Sequence, residues 1–190
     1  MKFSAVILAG GKSSRMGRDK AFLSISGKTR LARQIETVRA AGAAEIGIAG
    51  TAEINYSEFG CRVLVDKFQN AGPLAGIEAA LAAVTNPLLL VLAVDVQMIT
   101  SEFIRRLAFA CVETTGVVPR VNGNIEPLVA IYPKAARVVA ERRLSRQSHA
   151  VKDFVTDCAQ SSLAAFVDFP TTDATAFKNF NSPADLPCLV

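Results

Sequence analysis

The chain has 190 residues, of which 51% are hydrophobic, 20% charged and 7% aromatic, with 21 lysines and arginines against 17 acidic residues. This length predicts one domain over residues 1–190, and the half-apolar composition excludes a disordered or fibrous chain. A net charge of +4 is too small by itself to indicate a nucleic-acid partner.

Membrane and secreted classes are also disfavoured. No run reaches the roughly 18–20 continuous apolar residues that span a bilayer, and the apolar stretch near the N-terminus ends in Gly10-Gly11-Lys12 without a cleavage-like segment. The four cysteines fit neither a zinc spacing nor a compact disulfide pattern. We therefore expect a cytoplasmic protein with free thiols, and its single histidine, His149, leaves little room for a catalytic triad.

Apolar runs alternate with longer amphipathic stretches along the chain. In chain order they predict strand 3–9, helix 30–41, strands 45–49 and 62–65, helix 74–84, strand 88–94, helix 101–112, strands 116–121 and 128–132, and helix 134–144. Near the end, Ser182-Pro183-Ala184-Asp185 is typical of a helix start. Strands that alternate with helices predict an α/β fold: a three-layer, Rossmann-like arrangement with a mostly parallel central sheet and helices on both faces.

The most informative stretch is the loop Leu8-Ala9-Gly10-Gly11-Lys12-Ser13-Ser14-Arg15-Met16-Gly17-Arg18-Asp19-Lys20, directly after the first strand. Open α/β sheets bind ligands at the carboxyl ends of their strands. Paired glycines let the backbone approach a ligand closely, and Arg15 and Lys20 add positive charge. The combination suits a triphosphate, although glycines alone would favour an ordinary turn with solvated basic residues. The glycine spacing matches neither the P-loop nor the dinucleotide fingerprint.

This loop resembles the signature loop of the nucleotidyltransferases that activate sugars and cofactors, and most closely that of the molybdenum cofactor guanylyltransferases. The resemblance runs over nearly the whole chain. Beyond the loop it includes Gly72-Pro73-Leu74-Ala75-Gly76, Asp95, Glu126-Pro127-Leu128, and Asn179-Phe180-Asn181-Ser182-Pro183-Ala184-Asp185-Leu186.

The resemblance implies a nucleotide-diphospho-sugar transferase-like sheet and Mg²⁺-dependent transfer of GMP from GTP to molybdopterin, with release of pyrophosphate. It also implies a role for each matching residue. Leu8, Ala9, Gly10 and Gly11 would bind the nucleotide, Arg15 and Lys20 its phosphates as catalytic groups, Asp66 the nucleotide, Asp95 the metal and the reacting phosphates, and Asn179 and Asn181 the acceptor. Transient contact with other cofactor-biosynthesis proteins is a further expectation, whereas neither a nucleic acid nor a membrane is expected as a partner.

The candidate site residues also have a chemistry of their own. Asp95 follows seven apolar residues, and a carboxylate there needs a cation or hydrogen-bond donors; Mg²⁺ fits, and a helix cap before Thr100 is the alternative. Asp66 either contacts the nucleotide or solvates its turn. Asn179 and Asn181, two residues apart, share one side of an extended segment and either bind a polar acceptor or order the following turn.

Four departures from the family pattern leave the substrates or the catalytic activity open. Gln97 stands where a proline is usual, Glu126 where a histidine often precedes the proline, and Ala49-Gly50-Thr51 lacks an asparagine that is common near the guanine. The acceptor segment around residues 145–150 also matches poorly. The alternatives are therefore a cytidylyltransferase that uses CTP, transfer to a sugar or alditol phosphate, and a non-catalytic nucleotide-binding module.

The charge distribution says more than the total. Residues 1–40 contain nine basic residues against two acidic ones, and residues 134–152 contain six against one. The first cluster coincides with the glycine-rich loop, and the second could face a phosphorylated acceptor. Since a phosphate monoester is already anionic at neutral pH, its attack needs positioning and charge neutralisation rather than a general base.

Overall fold

A computed structural model describes residues 2–10, 20–25, 27–68, 70–112 and 114–177, with Lys20 and Ile25 described by their backbone alone. Its main sheet is formed by β1 (Phe3–Leu8), β4 (Glu45–Ala49), β5 (Arg62–Leu64), β6 (Leu88–Ala93), β7 (Gly116–Val121), β8 (Asn124–Ile125), β9 (Val129–Pro133) and β10 (Ala164–Asp168). The strands β2 (Ser24–Ile25) and β3 (Lys28–Thr29) form a separate small hairpin.

The helices are α1 (Arg30–Ala40), α2 (Pro73–Ala83), α3 (Ser101–Ala110), α4 (Arg137–Ser145) and α5 (Val151–Gln160). Short 3-10 segments lie at Lys20–Phe22, Ser57–Phe59, Lys134–Ala136 and Thr171–Phe177. The side chain of Thr29 caps the N-terminus of α1, and that of Thr100 caps α3, each by accepting a hydrogen bond from a backbone amide of the first turn. The helix α1 ends shortly before Gly42, whose φ is +95°. No described helix is long and apolar enough to cross a membrane.

The sheet lies between two helical layers. Along β1, the side chains of Phe3, Ala5 and Ile7 join one core cluster, whereas Val6 and Leu8 join another. Residues of α1 and α3 pack in the first cluster, and residues of α2, α4 and α5 pack in the second. A strand covered on both faces must be apolar at every position, which explains the continuous hydrophobic runs of β1 and β6. The predicted three-layer fold is confirmed.

The strand order is β10-β7-β9-β6-β1-β4-β5, with β8 paired to β7. β5, β4, β1 and β6 are mutually parallel, as are β7 and β10. β9 is antiparallel to both β6 and β7, because it follows β7 through the short strand β8 rather than through a crossover helix. Strands β1, β4 and β5 follow one another in one direction across the sheet, and β6 then pairs with the other side of β1. The direction of winding therefore reverses between β1 and β6.

Several boundaries differ from the sequence prediction. The helix expected at 134–144 begins as a 3-10 turn and becomes α-helical only at Arg137. The helix α5 and the strand β10 have no counterpart in the prediction. The helix start expected at residues 182–185 lies outside the described residues.

Candidate active site at the carboxyl edge of the sheet

Four parallel strands end level with one another. Leu8 pairs with Ala49 on one side and with Ala93 on the other, and Ala49 in turn pairs with Leu64. The segments after β1, β4, β5 and β6 therefore emerge side by side at one edge of the sheet. This carboxyl edge includes the point between β1 and β6 where the winding reverses, which is where open α/β sheets bind ligands.

The backbone ladder continues past the strand ends at that point. The amides of Ala9 and Gly10 both donate to the carbonyl oxygen of Ala49, at 2.9 and 3.1 Å, and the amide of Val94 donates to the carbonyl of Leu8 at 3.2 Å. Gly10, at the start of the glycine-rich loop, thus lies beside the segment that follows β4, and the turn that contains Asp95 begins on the other side of β1.

The side chains of Leu8 and Ala9 are buried, 6% and 4% exposed, whereas Gly10 is exposed. Gly76 of α2 packs on this layer: a Cβ there would lie 3.1 Å from the Cβ of Ala49 and 3.2 Å from Cδ2 of Leu8. The glycine lets α2 approach the sheet, which is a packing role. Since the apolar side chains serve the core, contact with a ligand at this segment falls to the backbone and to Gly10.

Asp95 is half-buried, two residues beyond the end of β6, in a turn that two glutamines hold. Gln34 of α1 is 2% exposed, and its side-chain amide donates to the carbonyl of Val96. Gln97 is 7% exposed, and its amide donates to the carbonyl of Val94. The carbonyls on both sides of Asp95 are therefore tied to buried side chains, which fixes the direction of the turn.

Asp66 lies two residues beyond the end of β5 and is also half-buried. Burial raises the pKa of its carboxyl group. β5 and β6 are three strand spacings apart, so the backbones of Asp66 and Asp95 are separated by about 14 Å. Asp66 and Asp95 therefore lie at opposite ends of the row of parallel strands β5, β4, β1 and β6, too far apart to bind the same ion.

The residues present fit a magnesium ion with few protein ligands. Among the described residues no group of three or more histidine, cysteine, aspartate or glutamate side chains is gathered to enclose a metal. Magnesium commonly uses one or two carboxylates and completes its shell with water and substrate phosphates. Asp95, a half-buried carboxylate at the same edge of the sheet as the exposed Gly10, suits that donor set.

A third carboxylate lies on the other side of β6. Because β9 runs antiparallel, its first residues lie beside the end of β6, where the amide of Ala93 donates to the carbonyl of Leu128 at 2.9 Å. The amide of Glu126 donates to the carbonyl of Pro119 at 3.0 Å, and its own carbonyl accepts from Val129 at 3.1 Å. Burial raises the pKa of the half-buried Glu126 side chain, and the positive charge of Lys152 partly offsets that effect.

Glu126 lines a partly open cavity of about 160 Å³. The other residues that line it are Val121, Asn122, Asn124, Ala174 and Phe177. This cavity was not predicted from the sequence, which contains a signal only for the hairpin that forms part of its lining. Asn122-Gly123, with φ values of +50° and +78°, closes a two-residue hairpin between β7 and β8, and Asn-Gly is the preferred sequence for such a turn.

The basic segment 134–152 is only partly available to a ligand. The guanidinium of Arg143 donates to the hydroxyl of Ser148 at 2.8 Å and forms ion pairs with Asp153 and Asp157 at 3.3 and 2.8 Å. It therefore anchors the loop between α4 and α5. That loop lies at the carboxyl edge, because β9 ends at the opposite edge, beside Leu88, and α4 runs back from there.

Other residues of this segment remain exposed. Among them are the basic side chains of Arg146 and Lys152, and the side chain of His149. The remaining site residues expected from the sequence, namely Gly11, Arg15, the side chain of Lys20, Asn179 and Asn181, lie outside the described residues.

Comparisons with known proteins identify the family of the chain. The family model of the MobA-like NTP transferase domain matches residues 5–165. A protein of Opitutus terrae named "Probable molybdenum cofactor guanylyltransferase" is 39% identical over 96% of this chain and 92% of its own length. A protein of the same name from Pelotomaculum thermopropionicum is 34% identical over 98% of this chain and 91% of its own.

Two solved structures show the same fold. Molybdopterin-guanine dinucleotide biosynthesis protein A from Archaeoglobus fulgidus superposes with a TM-score of 0.75 at 21% identity, over 96% of this chain and 94% of its own. The 2-C-methyl-D-erythritol 4-phosphate cytidylyltransferase from Thermus thermophilus gives 0.74 at 22% identity, over 97% and 95%.

Proposed function

The chain belongs to the MobA-like NTP transferase domain family and is a nucleotidyltransferase; from that premise we propose that it transfers GMP from GTP to the molybdopterin form of the molybdenum cofactor and releases pyrophosphate. The observation that carries the proposal is that the segments of Gly10 and Asp95 leave the adjacent strands β1 and β6 at the same edge of the sheet, where Leu8 pairs with Ala93. An exposed glycine backbone and a half-buried carboxylate at one edge provide a place for a triphosphate and its cation at the point where the fold favours a ligand.

Each residue has a proposed part in the reaction. Asp95 would hold Mg²⁺, which neutralises the phosphate charge that develops as pyrophosphate leaves. The backbone from Leu8 to Gly11 would receive the nucleotide, with Arg15 and Lys20 on its phosphates. The glutamines that hold the Asp95 turn keep this carboxylate in one position, so that charge stabilisation needs no rearrangement during the reaction.

Asp66 fits the nucleoside end of the same ligand. It lies about 14 Å from Asp95 along the edge, and a nucleoside triphosphate is long enough to bridge the two. Its half-buried carboxylate can accept hydrogen bonds from ribose hydroxyls or from a base N–H, and such bonds would offset the burial that raises its pKa.

The acceptor would approach from the other side of Asp95, over β9 and β7. Glu126 and the exposed residues Arg146, His149 and Lys152 lie on that side, and the positive charges of Arg146 and Lys152 suit a phosphate monoester. Asn179 and Asn181 are proposed acceptor contacts on the family pattern alone. We further propose that residues 1–190 form one domain and act in the cytoplasm, where the free thiols of Cys61, Cys111 and Cys158 would stay reduced.

A pyrophosphate-release assay tests the proposal. The purified chain is incubated with molybdopterin, Mg²⁺ and either GTP or CTP, with matched reactions that lack the acceptor or contain EDTA. We expect release that requires the acceptor and the metal and that favours GTP. A preference for CTP would replace the guanylyl assignment, and tight nucleotide binding without turnover on molybdopterin or on a panel of sugar phosphates would indicate a non-catalytic module.

A further inference from the structure

The cavity beside Glu126 combines a flat apolar wall with hydrogen-bonding groups. The ring of Phe177 packs edge-on against Phe103, with centroids 5.2 Å apart and an interplanar angle of 88°. The ring centroids of Phe103 and Phe169 are 4.9 Å apart, so Phe177 belongs to a packed aromatic cluster. Val121 and Ala174 complete the apolar part of the lining. A packed aromatic ring at the rim of a narrow cavity is suited to a flat, aromatic ligand.

The polar groups of the cavity are held in place. The hydroxyl of Thr171 donates to Oδ1 of Asn122 at 3.0 Å, which directs the amide nitrogen of Asn122 to act as a donor elsewhere. Asn124 belongs to β8, which pairs with β7. The backbone of Glu126 is fixed through both its amide and its carbonyl. The cavity thus offers amide groups and one carboxylate from a rigid framework.

Size and chemistry narrow the ligand class. A cavity of about 160 Å³ is comparable to one that binds a single six-membered ring, and because it is partly open it can hold the aminopyrimidine ring of a larger flat heterocycle. A carboxylate accepts two parallel hydrogen bonds from a pair of adjacent N–H groups, as it does from the guanidinium of arginine. The 2-amino-4-oxo edge of a pterin presents the same pair: a ring N–H next to an exocyclic amine.

We propose that this cavity is the subsite for the 2-amino-4-oxopteridine ring of the acceptor, and that Glu126 determines specificity by accepting both N–H groups of that edge. The inference rests on the proposed function. Guanine carries the same ring N–H and exocyclic amine, so the chemistry of the cavity alone does not distinguish a pterin from a guanine. The cavity lies on β7 and β8, about three strand spacings, or roughly 14 Å, from the nucleotide segment on β1, with Asp95 between them. The two rings therefore occupy separate places on opposite sides of the transfer point.

The test uses two fluorescent pteridines and the complete chain. 6-Hydroxymethylpterin carries the 2-amino group, whereas 6-hydroxymethyllumazine carries an oxygen there and is otherwise matched. We expect the wild-type chain to bind the pterin about tenfold more tightly, and saturating Mg²⁺–GTP to leave pterin binding in place. Equal or undetectable affinity for the two pteridines would overturn the subsite, and so would competitive displacement of the pterin by GTP.

Variants then assign the preference to one residue. Glu126→Gln keeps the size of the side chain but replaces one acceptor oxygen by a donor, so the preference for pterin should disappear or reverse towards lumazine. Glu141→Gln makes the same change on an exposed position of α4 and should preserve the preference. If Glu126→Gln binds both ligands as the wild type does, the assignment of Glu126 is wrong.

The inference and the proposed function can fail separately. Calorimetry with GTP should give the same affinity for the wild type and for Glu126→Gln. Pterin selectivity without acceptor-dependent pyrophosphate release would retain the subsite and reject the reaction. Pyrophosphate release with intact GTP binding, but without selection of pterin over lumazine, would retain the reaction and reject the subsite.

Discussion

The two edges of the sheet treat their carboxylates differently. At the amino edge, Glu45 accepts hydrogen bonds from the hydroxyl of Ser4 at 2.5 Å and from the amide of Thr85 at 2.7 Å, and Asn86 donates to Ser4 at 3.0 Å. Burial acts to raise the pKa of Glu45, but these donors outweigh it, and the pKa lies below its ordinary value. Glu45 is a structural carboxylate whose partners belong to the protein.

At the carboxyl edge the balance is reversed. Burial raises the pKa of Asp66 and of Glu126, and at Glu126 the nearby charge of Lys152 only partly offsets it. Folding alone does not favour the charged form of these groups, whereas a ligand that supplies donors or a cation would do so. The fold therefore stabilises the charged form of Glu45 at the amino edge, whereas the carboxyl groups of Asp66 and Glu126 at the carboxyl edge are available to bind a ligand.

The largest expected effect follows from removing the charge of Asp95. Asp95→Asn should lower the rate of pyrophosphate release about 1,000-fold, because the side chain then loses its negative charge towards the metal. The melting temperature should stay within about 2 °C of the wild type, which differential scanning calorimetry measures. Glu45→Gln is the matched control and should retain turnover; a fully active Asp95→Asn variant would contradict the metal assignment.

The opposite pattern is expected at Glu45. Glu45→Ala should lower the free energy of unfolding by about 2 kcal/mol, since Ser4 and the Thr85 amide lose a charged acceptor, while turnover is maintained. Because folding lowers the pKa of Glu45, its contribution is complete above the unfolded pKa and is lost as the pH falls through the folded pKa. Urea titrations should therefore show the wild type and the variant converging below about pH 4.5. Glu141→Ala is the exposed control, and a constant difference down to pH 2 would contradict the ionic origin.

A smaller effect is expected from the turn that carries Asp95. Gln34→Ala removes the buried donor to the Val96 carbonyl and should cost about 1.5 kcal/mol of stability. It should also raise the Mg²⁺ concentration needed for half-maximal turnover several-fold, because Asp95 becomes less well positioned. Gln34 is proposed as a positioning residue. If Gln34→Ala lowers the stability but leaves the magnesium dependence of turnover unchanged, Gln34 has a structural role only.

The smallest effect is expected at Asp66. Asp66→Asn should weaken GTP binding about fivefold, in line with the loss of one charge-assisted hydrogen bond, and should leave the rate at saturating GTP unchanged. GTP binding to the wild type should strengthen as the pH rises through the raised pKa of Asp66, since ribose hydroxyls bind the charged form better. The variant should lack this dependence, and identical pH profiles in calorimetry would place Asp66 outside the nucleotide site.

The sequence predicted the parallel half of the molecule well. The seven apolar residues from Leu88 predicted a strand covered on both faces, and Glu45–Ala49 has the predicted bounds. Asp66 and Asp95 were placed after strands because apolar runs end there. These features depend on local periodicity and on the rule that parallel strands expose their carboxyl ends together, so no long-range contact had to be known.

The other half was predicted less well, for physical reasons. Gly116–Val121 has the predicted bounds, and the apolar run of β9 predicted a strand at 128–132. However, β8 has only two residues and gives no periodic signal, and nothing local indicates that β9 is antiparallel. The cavity beside Glu126 forms only when the β7–β8 hairpin meets the segment Thr171–Phe177, some 50 residues later. The hydrogen bond from Gln34 to Val96 joins residues 62 apart and leaves no local trace in the sequence.

The central claim is that the carboxyl edge receives the metal and the nucleotide, and paramagnetic NMR tests it most directly. With GTP bound to ¹⁵N-labelled protein, Mn²⁺ replaces Mg²⁺, and its unpaired electrons broaden the signals of nearby amides. We expect strong broadening of the amide signals of Gly10 and Asp95 and weaker broadening at Asp66. The signals of Glu45 and Asn86, on the opposite edge, should stay sharp. Broadening at Glu45 and Asn86, or equally weak broadening at both edges, would contradict the claim.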